Sequence, residues 1–133
     1  MGEVHLMHDA RLGRDVAMKV MRPEHITRPA LSARFLREAR AQGRLEHPSS
    51  VPVYDLSVQD RSLFFTMKRV HGATLAEVLA RLRAGDRDTI ASYSRHKLLS
   101  AFASVSLVVD FAHAQGGVHR DLKPENIMLG LFG

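Results

Sequence analysis

His119-Arg120-Asp121-Leu122-Lys123-Pro124-Glu125-Asn126 is the stretch around which the 133-residue chain is organised. Five of its residues, His, Arg, Asp, Lys and Asn, stand at fixed offsets, and a chance match in a chain this size is on the order of one in ten thousand. Asp121 and Asn126, with Pro124 between them, can present a carboxylate and an amide from a single bent loop. Lys123 adds a positive charge beside both. The blander reading is a polar turn between a helix and a strand, with His119 packed and Arg120 solvated. The number of fixed positions argues against it.

The stretch resembles H-R-D-L-x-x-x-N, the catalytic loop of protein kinases. Transfer of a γ-phosphoryl group needs a carboxylate that orients the attacking hydroxyl and accepts its proton, and an amide oxygen that holds Mg²⁺ on the phosphates. The resemblance implies Asp121 in the first role and Asn126 in the second, as metal ligand, with Lys123 facing the transferring phosphate. Lys at this offset is the family's mark of serine/threonine rather than tyrosine kinases. His119 is implied as a packing post.

Composition sets the outer limits. At 45% hydrophobic and 25% charged residues, the chain is ordinary for one globular domain. It has no cysteine, so neither disulfides nor thiolate metal sites are available. No apolar run is expected to reach the roughly 18 residues of a membrane span, and no leader is expected ahead of the first strand, so a cytoplasmic location is the default expectation. The net charge of +5 would suit a nucleic-acid partner. The basic residues, however, are four Lys and fifteen Arg scattered along the chain. Arg34, Arg37, Arg40 and Arg44 cluster on one expected helix, with Phe35, Leu36, Ala39 and Leu45 interleaved as its buried stripe. They read as a solvated face, and no nucleic acid is expected.

From the start, residues 1–8 alternate as a strand, Gly13 marks a turn, and residues 15–21 form a second strand, making a hairpin. Side chains alternate, so Val16 and Met18 face one way and Ala17 and Lys19 the other. A small Ala beside a Lys would let a flat base slide under the sheet while the ammonium reaches its phosphates. Val16-Ala17-Met18-Lys19 resembles V-A-I-K, which implies Lys19 on the α/β-phosphates of ATP. Gly2-Glu3-Val4 resembles the last G-x-V of the family's glycine-rich loop, whose first two glycines would then lie before Met1.

Pro23 ends the strand, and residues 31–45 are expected as a helix closed near His47-Pro48. By resemblance Glu38, the acidic residue of its interior, would ion-pair with Lys19; on local grounds it could instead pair with Arg34 or Arg37. Residues 51–57 and 62–69 are two further strands about a turn at Gln59-Asp60-Arg61. Lys68-Arg69-Val70-His71-Gly72 is then implied as a hinge whose backbone would hydrogen-bond adenine, with Met67 guarding the pocket behind it.

Beyond it the period becomes helical at Leu75, Val78, Leu79 and Leu82, with Gly85 as the stop. Residues 86–92 are expected as a loop. Ser94 is expected to cap a longer helix striped by Leu98, Phe102, Val105, Val109 and Ala112, widened by Leu99, Leu107 and Phe111, and covered on nearly all sides. Gln115-Gly116-Gly117 breaks it, and Ile127-Met128-Leu129 follows the loop as a short buried strand. The resemblance puts Val4 and Ala17 above adenine and Met128 below it. The histidines offer no metal-ligand spacing.

The whole reads as an α+β, protein-kinase-like fold: a small antiparallel N-lobe sheet with one helix (αC) over residues 1–70, then hinge, first helices and catalytic loop of a helical C-lobe over 71–133. On the resemblance the domain is incomplete, since Gly130-Leu131-Phe132-Gly133 comes before any D-F-G-type Asp. The function implied is ATP- and Mg²⁺-dependent phosphoryl transfer to Ser or Thr of protein substrates. Two alternatives stay open, a small-molecule phosphotransferase, which generally lacks the Arg and the Lys-Pro pair, and a kinase-like scaffold without turnover.

Overall fold

The computed structural model describes residues 2–59 and 62–130. The chain divides into two compact units, Met1–Arg69 and Val70–Gly133.

In the first unit, β1 (Gly2–Asp9) and β2 (Arg14–Met21) form an antiparallel hairpin. Gly13 closes it at φ +61°, a left-handed conformation that glycine enters without steric cost. Strands β3 (Val53–Gln59) and β4 (Ser62–Lys68) complete a four-stranded sheet of order β1-β2-β4-β3. Asp60 and Arg61 of the expected turn lie outside the described residues. A short helix α1 (Pro23–Ile26), not anticipated from the sequence, begins where the strand was expected only to stop. Proline suits the first helical position, where its missing N–H removes no hydrogen bond.

Helix α2 (Pro29–Gly43) likewise starts on a proline, two residues earlier than expected. It buries Phe35 and Ala39 against Met21, Leu63 and Phe65. The Phe35 and Phe65 rings meet at 5.2 Å between centroids, tilted by 55°, within the favourable range for aromatic pairs. Arg34, Arg37, Arg40 and Arg44 are exposed.

In the second unit, β5 (Gly72–Thr74) pairs antiparallel with β6 (Met128–Gly130). A Cβ on Gly72 would lie 1.9 Å from the Leu129 carbonyl oxygen, so only glycine permits this approach. The strand was not anticipated, because three residues are too short to show a period. Thr74 ends β5 and caps α3 (Leu75–Arg83): its hydroxyl accepts from Glu77 N–H (3.2 Å) and the Glu77 carboxylate accepts from Thr74 N–H (2.8 Å). Val78 is fully buried beneath.

Residues 86–92, expected as a loop, need correction: Arg87–Ser92 is a helix, α4. Asp86 accepts from the Thr89 N–H at 2.9 Å and satisfies a first-turn donor, while six residues give no readable apolar stripe. Helix α5 (Arg95–Ala114) is capped by Ser94 as expected. Its expected cover is not found among the described residues, since none of its residues is buried and Phe102 is 69% exposed. The expectation about membrane spans also needs correction. With 20 residues rich in Val, Leu, Ala and Ser, α5 is long and apolar enough to cross a membrane by length and composition alone.

Candidate active site

The face of the sheet that carries Lys19 is assembled by register. Val4 stands opposite Lys19 and Leu6 opposite Ala17 in the hairpin, while Ala17 faces Met67 and Lys19 faces Phe65 across β2 and β4. Alternation then puts Val4, Leu6, Ala17, Lys19 and Met67 on one face. Val4 and Leu6 are 59% and 58% exposed, so this face offers apolar surface beside a lysine. Gly2 completes it: a Cβ there would lie 2.9 Å from the Val20 carbonyl oxygen and 3.3 Å from Cγ and Cε of Lys19. A larger residue would push the lysine aside.

Lys19 Nζ is ion-paired with Glu38 Oε1. The pairing follows from helix geometry, since Glu38 is three residues after buried Phe35 and adjacent to buried Ala39, on the edge of the face that α2 turns to the sheet. The local alternative is thereby decided geometrically, with Arg34 and Arg37 turned to solvent. Lys19 Nζ also lies 5.9 Å from the Phe65 ring centroid, at the limit of cation–π attraction. Met67 is tied to α2 from behind: Gln42 Nε2 donates to the Val51 carbonyl at 3.0 Å and approaches Met67 Sδ at 3.9 Å. The Arg69 side chain donates to Asp15 Oδ2 at 2.7 Å, while Asp15 Oδ1 contacts His8 Nδ1 at 3.0 Å. The hydrogen bond from His8, then the Arg69 charge, hold the Asp15 carboxyl below its usual range.

In the second unit, the loop after α5 is shaped by two local conformations. Gly116 (φ +76°) ends the helix, and Arg120 at φ +62° is the one non-glycine of positive φ among the described residues. For an arginine this conformation is strained, and such strain is typical of functional loops. His119, expected as a packing post, is exposed, and its Nδ1 accepts from the Asp121 N–H at 3.3 Å. The turn of 3₁₀ helix Pro124–Asn126 bends the chain back on Asp121. Both carboxylate oxygens are then held, Oδ1 by Lys123 Nζ at 3.1 Å and Oδ2 by Asn126 Nδ2 at 3.1 Å. Asn126 Nδ2 also donates to the Asp121 carbonyl at 2.8 Å.

These contacts fix the chemistry available. Lys123, then Asn126, keep the Asp121 carboxyl below its ordinary value despite some desolvation, so it is ionised at neutral pH. Such a carboxylate is a weak base but a good acceptor for a hydroxyl that must be aimed. With Nδ2 turned to Asp121, Asn126 is left with Oδ1, one hard oxygen donor of the kind that would hold Mg²⁺. Met128 is 39% exposed on β6, while its neighbour Leu129 packs inward. The structure thus brings Gly2, Val4, Ala17, Lys19, Glu38 and Met67 together in one unit, and Asp121, Lys123 and Asn126 in the other. The roles of Gln42 and Asp15 were missed by sequence reasoning. A lone polar residue on a helix or at a strand start carries no signal of its partner.

A family model described as protein kinase domain matches residues 1–131. The serine/threonine-protein kinase PknD of Chlamydia muridarum (strain MoPn / Nigg) is 38% identical over 136 residues, covering 100% of this chain and 15% of its own length. PknD of Chlamydia pneumoniae is 38% identical over 135 residues, covering 99% and 14%. Among solved structures, the Mycobacterium tuberculosis PknI kinase domain matches with a TM-score of 0.74 at 29% identity, covering 98% of this chain and 49% of that one. The chain therefore spans about 15% of the length of these curated relatives and about half of that solved domain. Coverage of 98% also places nearly all of the 20-residue α5 inside the match to a solved kinase domain.

Proposed function

This chain belongs to the protein kinase domain family, and from that premise we propose that its protein transfers the γ-phosphoryl group of ATP to Ser or Thr hydroxyls of protein substrates. The observation that carries the reading is the Asp121 carboxylate, with one oxygen on Lys123 and the other on Asn126. An ionised, doubly held carboxylate aims an attacking hydroxyl and takes its proton as the phosphoryl group leaves ATP. Lys123 places its charge beside the transferring group, and the names of the relatives support Ser/Thr rather than Tyr acceptors.

Lys19, held by Glu38, orients the α- and β-phosphates. Gly2, Val4, Ala17 and Met67 form the surface for the base, and the Arg69 segment offers it backbone hydrogen bonds; in the second unit Met128 is the apolar residue assigned to the nucleotide. Asn126 would hold Mg²⁺ through its amide oxygen, and the ion would supply charge neutralisation at the phosphate oxygens.

The test is incubation of the full-length protein with γ-labelled ATP, Mg²⁺ and a generic basic protein acceptor. Label is expected on Ser or Thr and is expected to vanish with Asp121→Asn. Nucleotide binding without transfer would instead favour a scaffold, and label on a small acceptor alone would favour a small-molecule phosphotransferase.

A further inference from the structure

The face that carries Lys19 is built of cross-strand rows. Val4, Lys19 and Phe65 form one, and Leu6, Ala17 and Met67 the next. Continuing both registers by two residues gives His8, Asp15 and Arg69, and their contacts complete the row: His8 to Asp15 at 3.0 Å and Arg69 to Asp15 at 2.7 Å. An apolar row is thus bordered by a charged one, with its acid at the centre and each carboxylate oxygen held from a different side.

Arg69 is one residue past the end of β4. The Lys68 N–H still donates to the Pro52 carbonyl at 3.0 Å, and there the backbone ladder of the strand stops. The Asp15–Arg69 ion pair therefore extends the strand register by one residue through side chains, where main-chain bonds no longer do so. We infer that Asp15 is a positioning residue for nucleotide binding, acting through Arg69 to hold the main chain that follows β4 in place for the base. The inference rests on the kinase reading above. It adds a residue that touches neither phosphate nor base.

An exposed ion pair is weak, so the effect is modest and selective. In the full-length protein, Asp15→Ala is expected to raise KM for ATP by about two- to fivefold while kcat changes by less than about twofold. Asp15→Glu, which keeps the charge, is expected to recover most of the affinity. The Asp15→Ala/Arg69→Ala double variant is expected to be no worse than Arg69→Ala alone, because both remove one interaction. A fluorescent ATP analogue titrated in parallel reads affinity without turnover. An unaltered KM and analogue affinity in Asp15→Ala, or additive effects of the two substitutions, would overturn the inference. Wild-type protein that binds the analogue but transfers no phosphate would strike the kinase reading instead, and leave the analogue titration as the test of Asp15.

Discussion

Lys19 on β2 and Glu38 on α2, nineteen residues apart in sequence, form an ion pair whose members are 21% and 37% exposed in their side chains. The pair sits at the edge of the Phe35–Phe65 contact, so the apolar core sets how closely helix and strand approach. The pair proposed to orient the phosphates and the apolar core of this unit therefore share one interface.

Under the proposed role, in which the lysine orients phosphates rather than holding the base, Lys19→Met in the full-length protein is expected to lower turnover by about a hundredfold or more, while ATP affinity changes far less. Single-turnover transfer and analogue titration separate the two. Transfer at the wild-type rate would remove Lys19 from the phosphate role.

Asp121→Asn and Asn126→Ala are each expected to reduce transfer by about 10²–10⁴-fold with an unaltered circular dichroism spectrum. Both side chains are exposed on a loop held mainly by local contacts, so the fold does not depend on them. A mutant that still phosphorylates the basic acceptor normally contradicts the assignment.

The Asp121 carboxyl titrates below its ordinary 3.8, first because of Lys123 and then Asn126. A depressed folded value means that the contribution to stability is present above the unfolded value and lost as pH falls through the folded one, so the window lies below 3.8. At neutral pH Asp121 stays charged and adds no limb to the activity profile. Carboxyl-carbon NMR is expected to show its titration moving up in Lys123→Ala; an unmoved midpoint would mean that the contact is absent in solution.

Phe35→Ala is expected to destabilise the first unit by about 3–5 kcal/mol, because the ring is fully buried and its loss leaves a cavity against Phe65. Chemical denaturation measures this. A loss below about 1 kcal/mol would indicate that the helix–sheet contact is loose.

Leu99, Phe102 and Leu107 of α5 are 57%, 69% and 62% exposed. Apolar surface of this extent favours association, so the 133-residue chain alone is expected to elute as oligomers in size-exclusion chromatography, and Phe102→Ser with Leu107→Ser to shift it towards monomer. Monodisperse monomer from the unaltered chain would rule this out.

The sequence by itself determined the bend from Asp121 to Asn126, the hairpin, the long helices and the Ser94 cap, because these are written in local terms: residue types at short fixed offsets, a period of two or 3.6, a hydroxyl before a helix. It also proposed Lys19 with Glu38, but only through resemblance, since Arg34 and Arg37 were equally available on local grounds. The tertiary structure decided that pair, because the burial of Phe35 and Ala39 fixes which side of α2 faces β2. It likewise decided β5, which exists through its pairing with β6, and the row His8–Asp15–Arg69, which exists through the register of three strands. Contacts between residues distant in the chain depend on packing and register, and neither leaves a local pattern to read.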